Sequence, residues 1–164
     1  TSIEVTDLGR DAGIFVARKD RPDDLRSERI EIHAGGAGPA VVRDLDGLPR
    51  AEARLPQAGD GTGYHGMRHF EGVALEALLA RHGIEPDPAT GILLSARDGY
   101  RVLLSSAEVF DAPAGREVLL ADRQEGEPLG EDGRFQLLPV DDQSADRWLK
   151  GVARIDVVRA RGGL

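Results

Sequence analysis

Turn formers punctuate this chain too often for long helices: 21 glycines and 9 prolines are spread through 164 residues. A backbone interrupted that frequently is restricted to short elements and tight connections. Between the breaks, apolar residues mostly alternate with polar ones or form compact runs, the patterns of half-buried and fully buried strands. Arg29-Ile30-Glu31-Ile32-His33 alternates. Ile92-Leu93-Leu94 and the stretch from Tyr100 to Leu104 flank Asp98-Gly99, a strong hairpin signal. Glu117 to Ala121 and Arg134 to Leu138 read as further strands. Val152 to Val158 closes the series, with Ala153, Ile155 and Val157 on one face and Arg154 and Asp156 on the other. Near the start, Ile14-Phe15-Val16 predicts a strand between Gly13 and the charged run Arg18-Lys19-Asp20-Arg21.

Helical signals are few. Leu75, Leu78 and Leu79 fall on one helical face, and Gly83 stands where a C-terminal cap belongs. Ser105 and Glu108 have the spacing of a capping box, which predicts a short helix from there. Val41 to Leu48 reads as a short helix or turn closed by Pro49. Gln57 to Gly63 is polar and glycine-rich, a loop that runs on into Tyr64-His65-Gly66-Met67-Arg68-His69-Phe70. Many strands, few helices and hairpin connections predict one strand-rich α+β domain with a mixed or antiparallel sheet, not a doubly wound fold. Residues 1–29 would be an N-terminal extension or a first strand packed on the domain, and residues 30–164 the domain itself.

The formal net charge of −8 argues against nucleic acid, which needs a basic face to neutralise phosphates, and against anionic membrane surfaces. No apolar run approaches the roughly 20 residues of a membrane span. There is no cysteine, hence no disulfide, no thiolate metal site and no cysteine nucleophile. A start at Thr1 fits a periplasmic or secreted product after signal removal; a trimmed or cytoplasmic chain fits too.

Four histidines are present, at 33, 65, 69 and 82. His65 and His69 have the i, i+4 spacing of two ligands on one helical face, so they are the candidate metal pair, with carboxylates completing the set. Set against this is a plain reading as loop histidines, and His82 fits a helix end. Gly35, Gly36 and Gly38 follow a strand, but neither a P-loop nor G-x-G-x-x-G spacing is present, so a turn is the better reading. Ser105 and Ser106 lack a nucleophile elbow, and Asp141-Asp142 reads as solvated. Trp148 lies between Arg147 and Lys150, where it floors an anion site or pins the last strand.

Six segments in order carry a resemblance: Val42-Arg43-Asp44-Leu45-Asp46-Gly47-Leu48-Pro49; Phe70-Glu71-Gly72-Val73-Ala74-Leu75 with Leu78-Leu79; Ala96-Arg97-Asp98-Gly99-Tyr100; Leu119-Leu120-Ala121 with Glu125-Gly126-Glu127-Pro128-Leu129; Asp132-Gly133-Arg134-Phe135-Gln136-Leu137-Leu138-Pro139; and Arg147-Trp148-Leu149-Lys150-Gly151-Val152 with Ile155. Together they resemble the sulfite-oxidase-like molybdopterin-binding domain over roughly residues 30 to 160. The resemblance implies a mixed α+β fold, a pterin cofactor in a cleft, and a molybdenum-ligating cysteine between Glu52 and Phe70. This chain has no cysteine there. A soft metal loses its thiolate anchor, while a pterin or another anion still has Arg134, Trp148 and Lys150 at matching positions.

Three functions follow as expectations. The first is a non-catalytic module that binds a small anionic ligand or a protein partner in a cleft lined by Tyr64, His65, Arg68 and His69, with Arg134, Trp148 and Lys150. The second is an accessory piece of an exported complex. The third is a molybdopterin-dependent oxidoreductase, or a metal-binding protein using His65 and His69.

Overall fold

The computed structural model describes residues 26–35, 38–59, 63–130 and 133–159. The strand expected at Ile14 to Val16 lies outside them. Eleven strands and two short α-helices are described, and the strands form two sheets.

The first sheet contains β1 (Ile30–Ala34), β2 (Ala40–Val42), β5 (Thr90–Ala96), β6 (Arg101–Ser105) and β11 (Val152–Arg159), in the order β2-β1-β11-β5-β6. β1 runs parallel to β11 and every other pairing is antiparallel. The second sheet is antiparallel, in the order β10-β9-β7-β4-β3. It is built from β3 (Arg50–Gly59), β4 (Gly63–Ala74), β7 (Val118–Gln124), β9 (Gln136–Pro139) and β10 (Leu149–Lys150); β8 (Glu127–Pro128) pairs with β7. Ile32, Leu94 and Ile155 of the first sheet share one buried cluster with Val73, Leu120 and Leu137 of the second. Burying each such side chain contributes about 1.5–3 kcal/mol, which is what holds the sheets together. A smaller cluster, including Leu55, Phe70, Leu119 and Leu138, is built on the second sheet. Among the described residues no helix is long and apolar enough to cross a membrane.

The locally encoded features are present. Helix α1 (Leu75–Arg81) buries Leu75, Leu78 and Leu79 and ends on His82. Gly83 follows at φ +71°, its N–H donating to Ala80 O at 2.9 Å, while Ile84 N–H donates to Leu79 O at 3.0 Å. That is a Schellman end, and the left-handed seat explains the glycine. The 96–100 hairpin closes as expected: Gly99 sits at φ +91° and Asp98 Oδ1 accepts from Tyr100 N–H at 3.0 Å.

Helix α2 (Ser106–Phe110) carries the expected capping box, with Ser105 Oγ accepting from Glu108 N–H and Glu108 Oε2 accepting from Ser105 N–H. Glu108 Oε1 also accepts from Arg147 Nη1 at 2.7 Å. Burial alone would raise this carboxyl, but the bonds from Arg147 and Ser105 outweigh it and hold Glu108 below its ordinary value of 4.5. The folded carboxyl therefore keeps its charge to lower pH than the unfolded one. The link adds stability above about pH 4.5 and loses it as the pH falls through the folded value. Glu108→Gln is expected to flatten the acid limb of a stability-versus-pH curve below that point. An unchanged slope would show that the link contributes nothing to stability.

Four expectations need correction. Val41 and Val42 belong to strand β2, paired with Glu31 and Ile30, and only the following segment is a turn. The β-branched pair prefers the strand. The stretch expected as a polar loop from Gln57 to Gly63 is shorter, because β3 continues to Gly59 and β4 begins at Gly63. Tyr64 to Phe70 is not a loop but part of β4, paired with β3 from Met67 to Phe70. Gly66 fits there at φ +92°, at an irregularity of that ladder. Finally, β11 carries a register shift between Val152 and Arg154: Ile155 and Val157 pack on the main core as expected, but at the N-terminal end Val152 rather than Ala153 is the core residue. Arg154 and Asp156 do share a face, joined by Arg154 Nε–Asp156 Oδ2 at 2.8 Å.

Candidate functional site

The chain passes from one sheet to the other at a single glycine. Lys150 ends β10 in the second sheet and Val152 begins β11 in the first. Between them Gly151 is buried at φ +63°, a conformation that glycine adopts freely. Val152 N–H donates to Phe135 O at 3.0 Å, which fixes the crossover against the segment leading into β9.

A cleft of about 310 Å³ opens beside this crossover. One wall is formed by Gln136 of β9 and Lys150 of β10, directly paired in register. A second wall is the β7–β8 hairpin, where Gln124 and Glu127 are paired in register. Phe135 and Leu129 supply apolar surface. The volume lies at the lower end of the roughly 300–1,000 Å³ typical of small-molecule sites.

The polar groups of the cleft are available. Gln136 is only 5% exposed, and it lines the cleft. An amide side chain on the wall of a cleft can hydrogen-bond water or a ligand there. Lys150 and Glu127 are exposed at the rim, and neither has an ion-pair partner among the described residues.

The hairpin wall is pinned from outside. Glu125 at φ +52° is the one non-glycine residue with positive φ among the described residues, and Gly126 follows at φ +82°. This two-residue turn is ordinarily filled by Asn or Asp followed by Gly. Glu is held in it by a reciprocal tie: Glu125 N–H donates to His69 O at 2.9 Å, and Glu125 Oε1 accepts from His69 N–H at 3.0 Å. His69 thus positions the cleft through its backbone, while its ring nitrogen Nε2 lies 3.1 Å from Glu52 Oε2.

The residues expected from the sequence are divided by the fold. Lys150 lines the cleft, and His69 supports it from β4. Arg134 is exposed between the cleft residues Gly133 and Phe135, and its N–H donates to Ser27 O. Trp148 packs edge-on against Phe70, with ring centroids 5.3 Å apart and planes at 87°, as an anchor of the smaller cluster. Tyr64 and His65 are exposed on the outer half of β4, and Arg68 donates to Gln57 Oε1 at 3.2 Å across the β3–β4 hairpin. On a regular strand, residues four apart are separated by about 13 Å, so His65 and His69 do not share one helical turn. Among the described residues no group of three or more His, Asp or Glu is placed to hold a metal ion. Gln136, Gln124 and Glu127 were not foreseen. The signal for Gln136 was a lone amide in the otherwise apolar run Phe135 to Leu138.

A second cavity of about 370 Å³ lies beside α2 and is lined by Glu108, Arg116, Asp142 and Arg147 among others. Its cations are already neutralised. Arg147 forms a fork with Asp142 besides its bond to Glu108, and these bonds hold its guanidinium above its ordinary range. Arg116 Nε donates to Asp141 Oδ1 at 2.6 Å. The first cleft, with its unpaired groups, is therefore the better candidate site.

The fold and site define a two-sheet α+β domain with a small polar cleft where the last strand changes sheets. No family model matches the chain, and no curated protein matches it. In three dimensions it is similar to the sulfane dehydrogenase SoxCD from Paracoccus pantotrophus, with a TM-score of 0.60 and 21% sequence identity. The match covers 79% of this chain and 37% of that one, so the likeness is one of fold, over a minority of the larger chain.

Proposed function

We propose that this chain is a non-catalytic ligand-binding domain on the sulfite-oxidase-like molybdopterin-binding fold, with the cleft at the strand crossover as its site. The observation that carries the reading is the cleft itself, where the amide residue Gln136 is paired in register with Lys150, a cation with no ion-pair partner among the described residues. The similarity in fold to a sulfane dehydrogenase supports the family resemblance but brings no activity with it.

The residues present do not fit a molybdenum centre of the kind the resemblance implies. The described residues of the stretch from Glu52 to Phe70, where a ligating cysteine would fall, belong to β3 and β4. Its donors are carboxylate, imidazole, thioether, amide and hydroxyl groups, with no thiol. Molybdenum held by thiolate has no equivalent anchor among them. This supports a binding role over a redox role.

Amide chemical shifts followed by NMR test the reading. Glycine, acetate and phosphate serve as probes, at physiological ionic strength. At least one is expected to shift Gln136, Lys150 and Gly151 selectively. Gln136→Leu and Lys150→Met are each expected to weaken that binding by about tenfold or more, the scale of a lost hydrogen bond to a charged group. Saturable binding that ignores both substitutions would move the site elsewhere.

A further inference from the structure

The two walls of the cleft carry opposite charges in the same arrangement. On one wall an amide, Gln136, is paired in register with a cation, Lys150. On the other an amide, Gln124, is paired in register with an anion, Glu127. All four line the same 310 Å³ space. Lys150 and Glu127 do not pair with each other, and neither is neutralised by another described residue.

Such a cleft discriminates by charge. A simple anion reaches Lys150 but faces the Glu127 carboxylate, and Glu125 on the same hairpin adds a second negative charge. A simple cation meets the converse problem at Lys150. A molecule with an acid group and an amine on one short frame satisfies both walls together. Its aliphatic part has Leu129 and Phe135 to lie against, and the carboxamide of Gln136 can donate a hydrogen bond to its acid group. Resting on the reading that this cleft binds small ligands, we infer that it takes a small zwitterion of the amino-acid type. The acid group is held by Lys150 and Gln136, and the ammonium by Glu127.

Isothermal titration with three four-carbon probes tests this: γ-aminobutyrate, butyrate and butylamine, each at physiological ionic strength. γ-Aminobutyrate is expected to bind at least tenfold more tightly than either singly charged probe. Lys150→Met is expected to remove its advantage over butylamine, and Glu127→Gln its advantage over butyrate. Both side chains are exposed, so unchanged melting temperatures are expected to show that the variants fold. If butyrate binds as tightly as γ-aminobutyrate and Glu127→Gln changes nothing, the zwitterion inference fails while the ligand-binding reading stands. If no probe binds and none shifts the cleft amides, both fail.

Discussion

Gly72→Ala is expected to destabilise the domain by about 3 kcal/mol or more, at the upper end of overpacking costs. A Cβ on Gly72 would lie 2.0 Å from Leu120 O, 2.6 Å from Ala121 Cα and 2.7 Å from Leu120 C. All three are backbone atoms of the neighbouring strand β7, so no rotamer change relieves the clash. The strands would have to separate at the register step where Glu71 pairs with Arg123 and Gly72 with Ala121. That step sits in the middle of the second sheet, between the main core and the smaller cluster. Gly38→Ala is the matched control, because an added Cβ there meets nothing within 4 Å. It is expected to be neutral or slightly stabilising, by up to about 1 kcal/mol, through the unfolded chain. Urea midpoints of the two variants measure the contrast. Similar stabilities would mean that β4 and β7 do not approach as described. Gly72 is also the glycine of the Phe70-Glu71-Gly72-Val73 segment that carried the resemblance, and the close approach gives that residue a physical reason.

The second large effect concerns Phe70 and Trp148. Phe70 is 1% exposed, and Phe70→Ala is expected to cost about 3–5 kcal/mol. Trp148 is only half-buried, so Trp148→Ala is expected to cost less, about 2–3 kcal/mol. The edge-to-face geometry predicts coupling between the two of about 0.5–1.5 kcal/mol in a double-mutant cycle. The same variants decide between the two readings of Trp148 available from the sequence. An anchor lowers stability and leaves ligand binding in the cleft intact. A stacking platform would lose binding at nearly unchanged stability.

What the sequence disclosed and what it concealed follows from the range of the interactions. The α1 end at Gly83, the α2 capping box and the Asp98-Gly99 hairpin are set by residues within a few positions of one another, and their signals were legible. β4 was not, because Tyr64 to Phe70 is mostly polar, is interrupted by Gly66, and becomes a strand through its pairing with β3. The register shift in β11 was hidden for a related reason: it reflects the change of sheet at Gly151, which pairing partners impose. Within the candidate site, Lys150 was reached through a family-like segment. Gln136 required knowing that β9 pairs with β10, which sets this amide beside Lys150 at the cleft. Glu125 was hidden because its turn is held by His69, far away in sequence.

The most direct test of the central claim is native mass spectrometry with elemental analysis, on the full-length protein purified without chelators from the organism that encodes it. The expected result is a mass that carries no molybdenum and no pterin, with either the bare chain or a small organic ligand that Gln136→Leu removes. One molybdenum per chain, retained through purification and accompanied by a pterin, would contradict the binding-domain reading and restore redox catalysis to this fold.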